Sequence, residues 1–459
     1  MELNDIKSVY FIGAGGIGMS ALARYFLAKG LKVGGYDRVP TELTHRLEAE
    51  GASLHYEDNV ELIEPCFKDK GSTLVVYTPA IPHDHTELRY YIEQGFELQK
   101  RAQVLGTLSR ALKALCVAGT HGKTTTTTMA AHLLHESHVG CNAFLGGISK
   151  NHGTNYLYSE QSPYVVVEAD EFDRSFHQLR PWATVITACD ADHLDIYGTE
   201  EAYIESFEHY SSLVQNNGAL ILHTNLKMQA RPQNGVKIYT YSRNEGDFHA
   251  ENIKIGGGEI VFDYKSPLGN IDEVSLGVPV SINIENGIAA LALAQLAGAE
   301  ADELRAAMDS FEGVERRFDF KVKNDRHVVL SDYAHHPEEI KQSIMSLREV
   351  FDGRKLTAIF QPHLYSRTRD FYREFAESLS LLDDVVLTEI YPAREEPIEG
   401  VSSEMIYSNT HPKGEKYLIN KKDVLDFVGR HYTDVLVILG AGDLDDYTNE
   451  IADIVSKQP

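Results

Sequence analysis

The sequence predicts an α/β protein of three successive domains, each built on a mostly parallel sheet, and three observations predict it. Short apolar runs alternate with stretches at helical spacing along nearly the whole chain; a glycine-rich strand-to-helix turn stands at residues 11–20; and a second such turn, carrying Gly-Lys-Thr, stands at 119–124. Alternation of this kind produces parallel sheets covered by helices on both faces.

The first strand is read at Val9–Ile12, and Met19–Leu27 carries apolar residues at helical spacing, so the glycines of "FIGAGGIGMS" join a strand to a helix. Further strands are expected at Lys32–Tyr36 and Leu74–Tyr77, which makes residues 1–108 the first domain. A new strand, "ALCVAG" at 114–119, runs into "THGKTTTTT" and a helix through Met129–Leu134. "YVVVEAD" and "ATVITACDADHLD" add two strands that end in acidic or imidazole groups. Between about 246 and 280 the pattern changes to short strands, and "NIKIGGGEIVFDY" reads as a glycine-turned hairpin, an antiparallel addition to the second domain (109–313). "ENGIAALALAQLAG" follows as a helix with a glycine stop. In the third domain, 314–459, "VVLSDYAHHPEEI", "LTAIFQPH", "DVVLTEIYP" and "VLVILGAGD" read as buried strands with functional loops at their ends.

Composition narrows the function classes. Of 459 residues, 43 are Lys or Arg against 68 Asp or Glu, a formal net charge of -25 that opposes nonspecific binding to nucleic acid or to an anionic membrane. A phosphorylated ligand must therefore be met by local donors. Cys66, Cys116, Cys141 and Cys189 form no C-x-x-C pair, which argues against a zinc ribbon or a disulfide framework. The opening "MELNDIKSVYF" has no basic region followed by a long apolar run, and no later segment approaches a membrane-spanning length, so a cytoplasmic enzyme is expected.

Gly13, Gly15 and Gly18 fit G-x-G-x-x-G, with Gly16 and Ile17 inside the turn; such a turn brings backbone N–H groups to a diphosphate at the positive end of a helix. Asp37, at the end of the second strand, stands where a ribose-binding acid is expected. At this point NAD and another nucleotide diphosphate remain equally open, because the geometry selects a diphosphate and a sugar but not a nicotinamide. The second loop points to ATP. Gly119, Thr120, His121, Gly122, Lys123 and Thr124 offer a backbone nest, an ammonium for the β- and γ-phosphates and a hydroxyl for Mg2+, although position 117 is Val where the usual spacing has its first glycine. At the next strand end, Glu168 and Asp170 are expected on one side of an extended segment with Glu171 facing away and Asp173 solvated. For His193, in "DADHLD", a metal ligand, a base and a strand-end cap all remain open.

Seven motifs then occur in a characteristic order: "GAGGIGMS" (13–20), "AGTHGKTTTT" (118–127), "EADEFDRSF" (168–176), "DADHLDIYG" (190–198), "GVERRFDF" (313–320), "DYAHHPEEI" (332–340) and "FQPHLYSRT" (360–368). Over essentially its whole length the chain resembles the Mur ligases, ATP-dependent amide-bond-forming enzymes of bacterial peptidoglycan synthesis. The resemblance implies a Rossmann-like N-terminal domain for a UDP-sugar, a central P-loop ATPase domain and a Rossmann-like C-terminal domain that helps receive the amino acid. It implies UDP-N-acetylmuramate and L-alanine as substrates, with addition of a whole tripeptide as an alternative; outside the family, an NAD-dependent oxidoreductase and a P-loop ATPase that only regulates a partner are the competing readings.

Carried over by position, the resemblance implies that Gly13–Gly18 hold the diphosphate of the UDP-sugar, with Asp37 near its nucleoside end. Gly119 to Thr125 would hold ATP, Lys123 contacting its phosphates; Thr124, Glu168 and His193 would hold magnesium. Asn283, Asn286, Arg317 and Asp332 would meet the nucleotide, and Tyr333, His335 and Arg367 would lie near the incoming amino acid. His336 reads as structural, since Pro337 suits a first helical turn. Two departures from the family pattern stand out: Val280, Ser281 and Ile282 precede Asn283 where the family reads Gly-Arg-His, and Leu364 replaces a common arginine, leaving Arg367 as the expected cation for an amino-acid carboxylate or the transferred phosphate.

Overall fold

The structure is a computed structural model that describes residues 5–78, 80–82, 84–190, 194–393 and 395–458, the side chains of residues 194 and 195 excepted. The first sheet comprises β1 (Ser8–Ile12), β2 (Lys32–Tyr36), β3 (Ser53–His55), β4 (Thr73–Tyr77) and β5 (Leu98–Lys100). Its order is β3-β2-β1-β4-β5, parallel throughout, so the chain winds outward in both directions from β1. The glycine turn follows β1, at the point where the strand order reverses and open α/β sheets bind ligands.

The second sheet comprises β6 (Lys113–Ala118), β7 (Asn142–Ser149), β8 (Thr154–Leu157), β9 (Tyr164–Ala169), β10 (Ala183–Ile186), β11 (Ala219–His223) and β12 (Lys237–Tyr241). In the order β12-β11-β10-β6-β9-β7-β8, the Lys-bearing loop leaves a central strand between β10 and β9. Only β8 runs antiparallel to its neighbour, a pairing the sequence did not reveal. Every residue of β6 except Lys113 is buried, as a strand covered on both faces requires. The expected hairpin forms between β13 (His249–Gly256) and β14 (Glu259–Lys265), which lie in a small sheet with β15 (Ile271–Ser275). Gly256, Gly257 and Gly258 all take positive φ at its turn.

The last sheet comprises β16 (Asp319–Lys323), β17 (Val328–Asp332), β18 (Leu356–Phe360), β19 (Asp384–Leu387), β20 (Lys416–Leu418) and β21 (Val435–Leu439), in the order β16-β17-β21-β18-β19-β20. All four expected strands are present. The additions are two edge strands: β16, antiparallel to β17, and the three-residue β20.

Packing divides the chain into two compact units, one of residues 1–251, 264–272 and 285–310, the other of 252–263, 273–284 and 311–459. Within the first, a single apolar cluster runs from Phe11, Leu22 and Val104 of the first sheet's layer to Cys116, Val167 and Phe207 of the second. Contiguous apolar burial of this kind resists shear between the layers. The core of the second unit is built on Val329, Ile359, Val386, Leu436 and Ile438. No helix of the described residues is long and apolar enough to cross a membrane.

Candidate active site

The phosphate loop is shaped by two glycines. Gly119 has φ +137°, and a Cβ there would stand 2.1 Å from Thr187 Oγ1; Gly122 has φ +77° and caps the helix Lys123–His135. A side chain at either position would strain the loop or displace it. Lys123 thus opens the helix, followed by Thr124 and Thr125 in its first turn, all half-buried. Its Nζ donates to Gly119 O at 2.6 Å and to Glu171 Oε1 at 2.9 Å. Burial works to lower the Lys123 pKa, but the charges of Glu171, Glu168 and Asp170 outweigh it and hold the ammonium above its ordinary value. Burial also raises Glu171, an effect that Lys123 partly offsets. Thr120 is fixed by its hydroxyl, which donates to Asp190 O at 2.8 Å and lies 3.0 Å from Tyr203 OH; His121 Nε2 is 4.0 Å from Asp190 Oδ2.

Glu171 corrects the sequence reading, which turned it away from the site. β9 ends at Ala169, and Glu171 has helical dihedrals (φ -76°, ψ -18°), so strand alternation no longer applies two residues past the strand end. Its side chain is buried against Lys123, and Tyr197 OH donates to its backbone carbonyl at 2.6 Å. Asp173, by contrast, is exposed and pairs with Lys100 at 3.1 Å.

Glu168 remains on β9 and is half-buried. Among the described residues its Oε2 is buried without a hydrogen-bond partner, and it lies against Gly146, where an added Cβ would stand 2.3 Å away. A buried carboxylate oxygen with no donor among the described residues suits a hard divalent cation. His193, the third expected ligand, lies outside the described residues. Asn286 sits beside the loop: its Oδ1 accepts from Thr126 Oγ1 at 3.1 Å and would be 2.7 Å from a Cβ at Gly122. Asn283 is buried, with its Nδ2 donating to Val278 O at 3.1 Å.

The N-terminal turn is equally crowded. Gly13 has φ +91° and would clash with Thr78 if it carried a Cβ; Gly16 caps the helix Ile17–Ala28. Gly15 N–H donates to Asp37 Oδ2 at 2.6 Å, so Asp37 folds back onto the turn it follows in space, and its other oxygen accepts from Arg38 N. Gly18 abuts the guanidinium of Arg101, whose Nη2 is 3.8 Å from Asp170 Oδ2. An unbroken path, Gly18, Arg101, Asp170, Glu171, Lys123, therefore joins the two glycine turns within one packed unit. Arg101 escaped the sequence reading because it opens a helix with no motif around it.

In the second unit, Asp332 ends β17 and is buried; burial pushes its carboxyl up to about 6, partly offset by the hydrogen bond from Ser343 and the charge of Arg317. Arg316 and Arg317 both lie over the Tyr333 ring, at 4.9 and 5.0 Å. Arg316 also pairs with Asp445 at 3.2 Å and donates to Gly442 O. His335 Nδ1 contacts Tyr333 O at 2.9 Å, while His336 caps the helix Pro337–Val350, as its place before proline implies. Burial lowers His335 and takes His363 down to about 4, with the neighbouring His335 and Arg367 adding to the latter shift. Arg367 has a buried Nη1 without a hydrogen-bond partner among the described residues. Leu364, between them, has φ +72°, a strained value for a branched residue. Tyr333, His335, His363 and Arg367 thus form one cluster with positive charge and an unused guanidinium donor, suited to a carboxylate. His363 was present in "FQPH" but carried no assigned role.

Family models described as Mur ligase family, catalytic domain; Mur ligase middle domain; and Mur ligase, glutamate ligase domain match residues 8–113, 117–294 and 316–444. The UDP-N-acetylmuramate–L-alanine ligase of Phocaeicola vulgatus is 64% identical over 458 residues, covering 100% of both chains. That of Parabacteroides distasonis is 55% identical, covering 100% of this chain and 99% of its own. The crystal structure of the UDP-N-acetylmuramate-alanine ligase of Thermotoga maritima superposes with a TM-score of 0.79 at 27% identity, covering 97% of this chain and 98% of that one. With its three domains matched in order and full-length relatives at this identity, the chain belongs to the Mur ligase family.

Proposed function

We propose that this chain joins L-alanine to the lactyl carboxylate of UDP-N-acetylmuramate, converting ATP to ADP and phosphate. The observation that carries the reading is the path from Gly18 through Arg101, Asp170 and Glu171 to Lys123, which couples a diphosphate turn to a triphosphate loop. A hydride-transfer enzyme would have no use for Lys123 or Glu168. The full-length relatives named above support alanine rather than a tripeptide as the amine.

A carboxylate resists amide formation because its anion repels an amine and oxide is a poor leaving group. In the proposed reaction a lactyl carboxylate oxygen attacks the γ-phosphorus and the bond to the β-phosphate oxygen breaks, releasing ADP and leaving an acyl phosphate. The alanine amine then attacks the acyl carbon and loses a proton, and the C–O bond to phosphate breaks. Lys123 exchanges its contacts with Gly119 O and Glu171 for phosphate oxygens and stabilises the charge that spreads over them; Arg317 adds a second cation. Gly13 to Gly18 anchor the sugar nucleotide, and Asp37 orders Gly15 within that turn. Asn283, Asn286 and Asp332 meet the nucleotide, while Arg367 takes the alanine carboxylate beside Tyr333 and His335. Magnesium, held by Thr124 and Glu168 together with His193, supplies neutralisation of phosphate charge when bound. The domain divisions at about 108 and 313, and a cytoplasmic setting, belong to the same reading.

Phosphate release tests the proposal. It is expected to require ATP, UDP-N-acetylmuramate and L-alanine together. Turnover on ATP alone, on NAD, or only with a tripeptide would overturn it.

A further inference from the structure

The far end of the phosphate-loop helix holds a cluster that the ligase reaction does not use. His132 is buried in the last turn of Lys123–His135, and Glu136 caps that helix four residues later, on the same face. His152 comes from the turn at 150–153 between β7 and β8. His132 Nδ1 lies 3.3 Å from His152 Nε2, and one ligand atom from each of the three residues lies within 4.8 Å of the others.

Ser310 Oγ donates to Ala307 O at 3.1 Å and lies 3.0 Å from His132 Nε2. In the tautomer in which Nε2 donates to Ser310 Oγ, His132 turns an Nδ1 lone pair toward His152. A metal-bound imidazole is commonly oriented in the same way, by its other N–H donating to a neighbouring acceptor. The separation also fits: two Zn–N bonds of about 2.0–2.1 Å at the tetrahedral angle place their nitrogens about 3.3 Å apart. Glu136 is exposed, and a rotamer adjustment brings its carboxylate into range. The negative end of the helix dipole favours a cation at this terminus.

We propose that His132, His152 and Glu136 bind one zinc ion, with water completing the tetrahedron. Two imidazoles and a carboxylate form a mixed N/O set that selects a borderline cation over magnesium. The ion would act as a clamp. It would tie the phosphate-loop helix to the turn whose Gly153 O accepts from Arg46 at 2.6 Å and whose Asn151 donates to Ser310 O at 2.7 Å, so that α/β layers meeting at this turn are held in register.

The test is zinc titration of the full-length protein against a chromophoric chelator, with millimolar magnesium present to occupy oxygen-rich sites. Wild type is expected to bind one equivalent, to give a tetrahedral visible spectrum when cobalt replaces zinc, and to melt at higher temperature with zinc than without. His152→Ala should weaken binding at least tenfold and abolish the thermal shift; Glu136→Gln, at an exposed position that leaves the fold intact, should weaken binding several-fold. Failure of wild type to retain zinc would overturn the proposal and leave the His132–His152 contact a plain hydrogen bond. Equal zinc affinity in all three proteins would overturn it too.

Discussion

Lys123 Nζ lies 2.8 Å from Glu171 Oε2, a buried ion pair at the mouth of the phosphate loop. The pair holds the ammonium within the loop, so that for the proposed role on the ATP phosphates the loop is preorganised instead of relying on a solvated side chain. Removing the charge while keeping the length, in Lys123→Met, is expected to lower kcat about 10²–10³-fold, the scale of losing one charge-stabilising donor in a water-poor site. Steady-state phosphate release measures it; retention of more than a tenth of the wild-type rate would remove Lys123 from the chemistry.

Gly146 offers a way to move Glu168 without altering it. An added methyl group would collide with Glu168 Oε2, the far end of a side chain that can rotate away. Gly146→Ala should therefore fold normally and raise the magnesium concentration needed for half-maximal rate several-fold. Unchanged magnesium dependence would show that Glu168 is not a ligand.

Asp332 gives a pH signature. Its folded pKa, about 6, lies above the ordinary 3.8, so between those values the folded state holds more protons than the unfolded one. This group's contribution to stability is therefore fully present below about 4, is lost as pH rises toward 6, and is flat above. Asparagine keeps an acceptor for Ser343 but cannot ionise. The thermal midpoint of Asp332→Asn relative to wild type should rise between pH 4 and 6; a constant difference across that range would mean that Asp332 stays ionised.

Arg367 separates the two substrate ends. With Nη1 buried and unpartnered among the described residues, it is placed to take a small carboxylate. Arg367→Ala is expected to raise the KM for L-alanine at least tenfold while shifting the KM for ATP less than threefold, on the scale of about 1.5–3 kcal/mol for a hydrogen bond to a charged group. Equal effects on both would assign it to the phosphates.

Much of this was legible in the sequence because it is local. Glycines at tight turns, strands buried on both faces and a helix-capping residue before proline all leave short-range patterns, and Gly119, Gly122, β17 and His336 behave as those patterns require. What the sequence did not reveal depends on direction or distance. Glu171 turns inward because the strand stops two residues earlier, which no alternation rule foresees. Arg101 meets Asp170 across 69 residues of chain, and His132 meets His152 only because β7 returns beside the phosphate-loop helix. Edge strands β16 and β20 are short or half-exposed and so lack the apolar runs that marked the others.

The most direct measurement is isotope transfer. UDP-N-acetylmuramate labelled with oxygen-18 in both lactyl carboxylate oxygens is turned over once with ATP and L-alanine, and the released phosphate is analysed by mass. The account predicts one labelled oxygen in each phosphate, carried there through the acyl phosphate; phosphate free of label, with amide formed at the same rate, would contradict it.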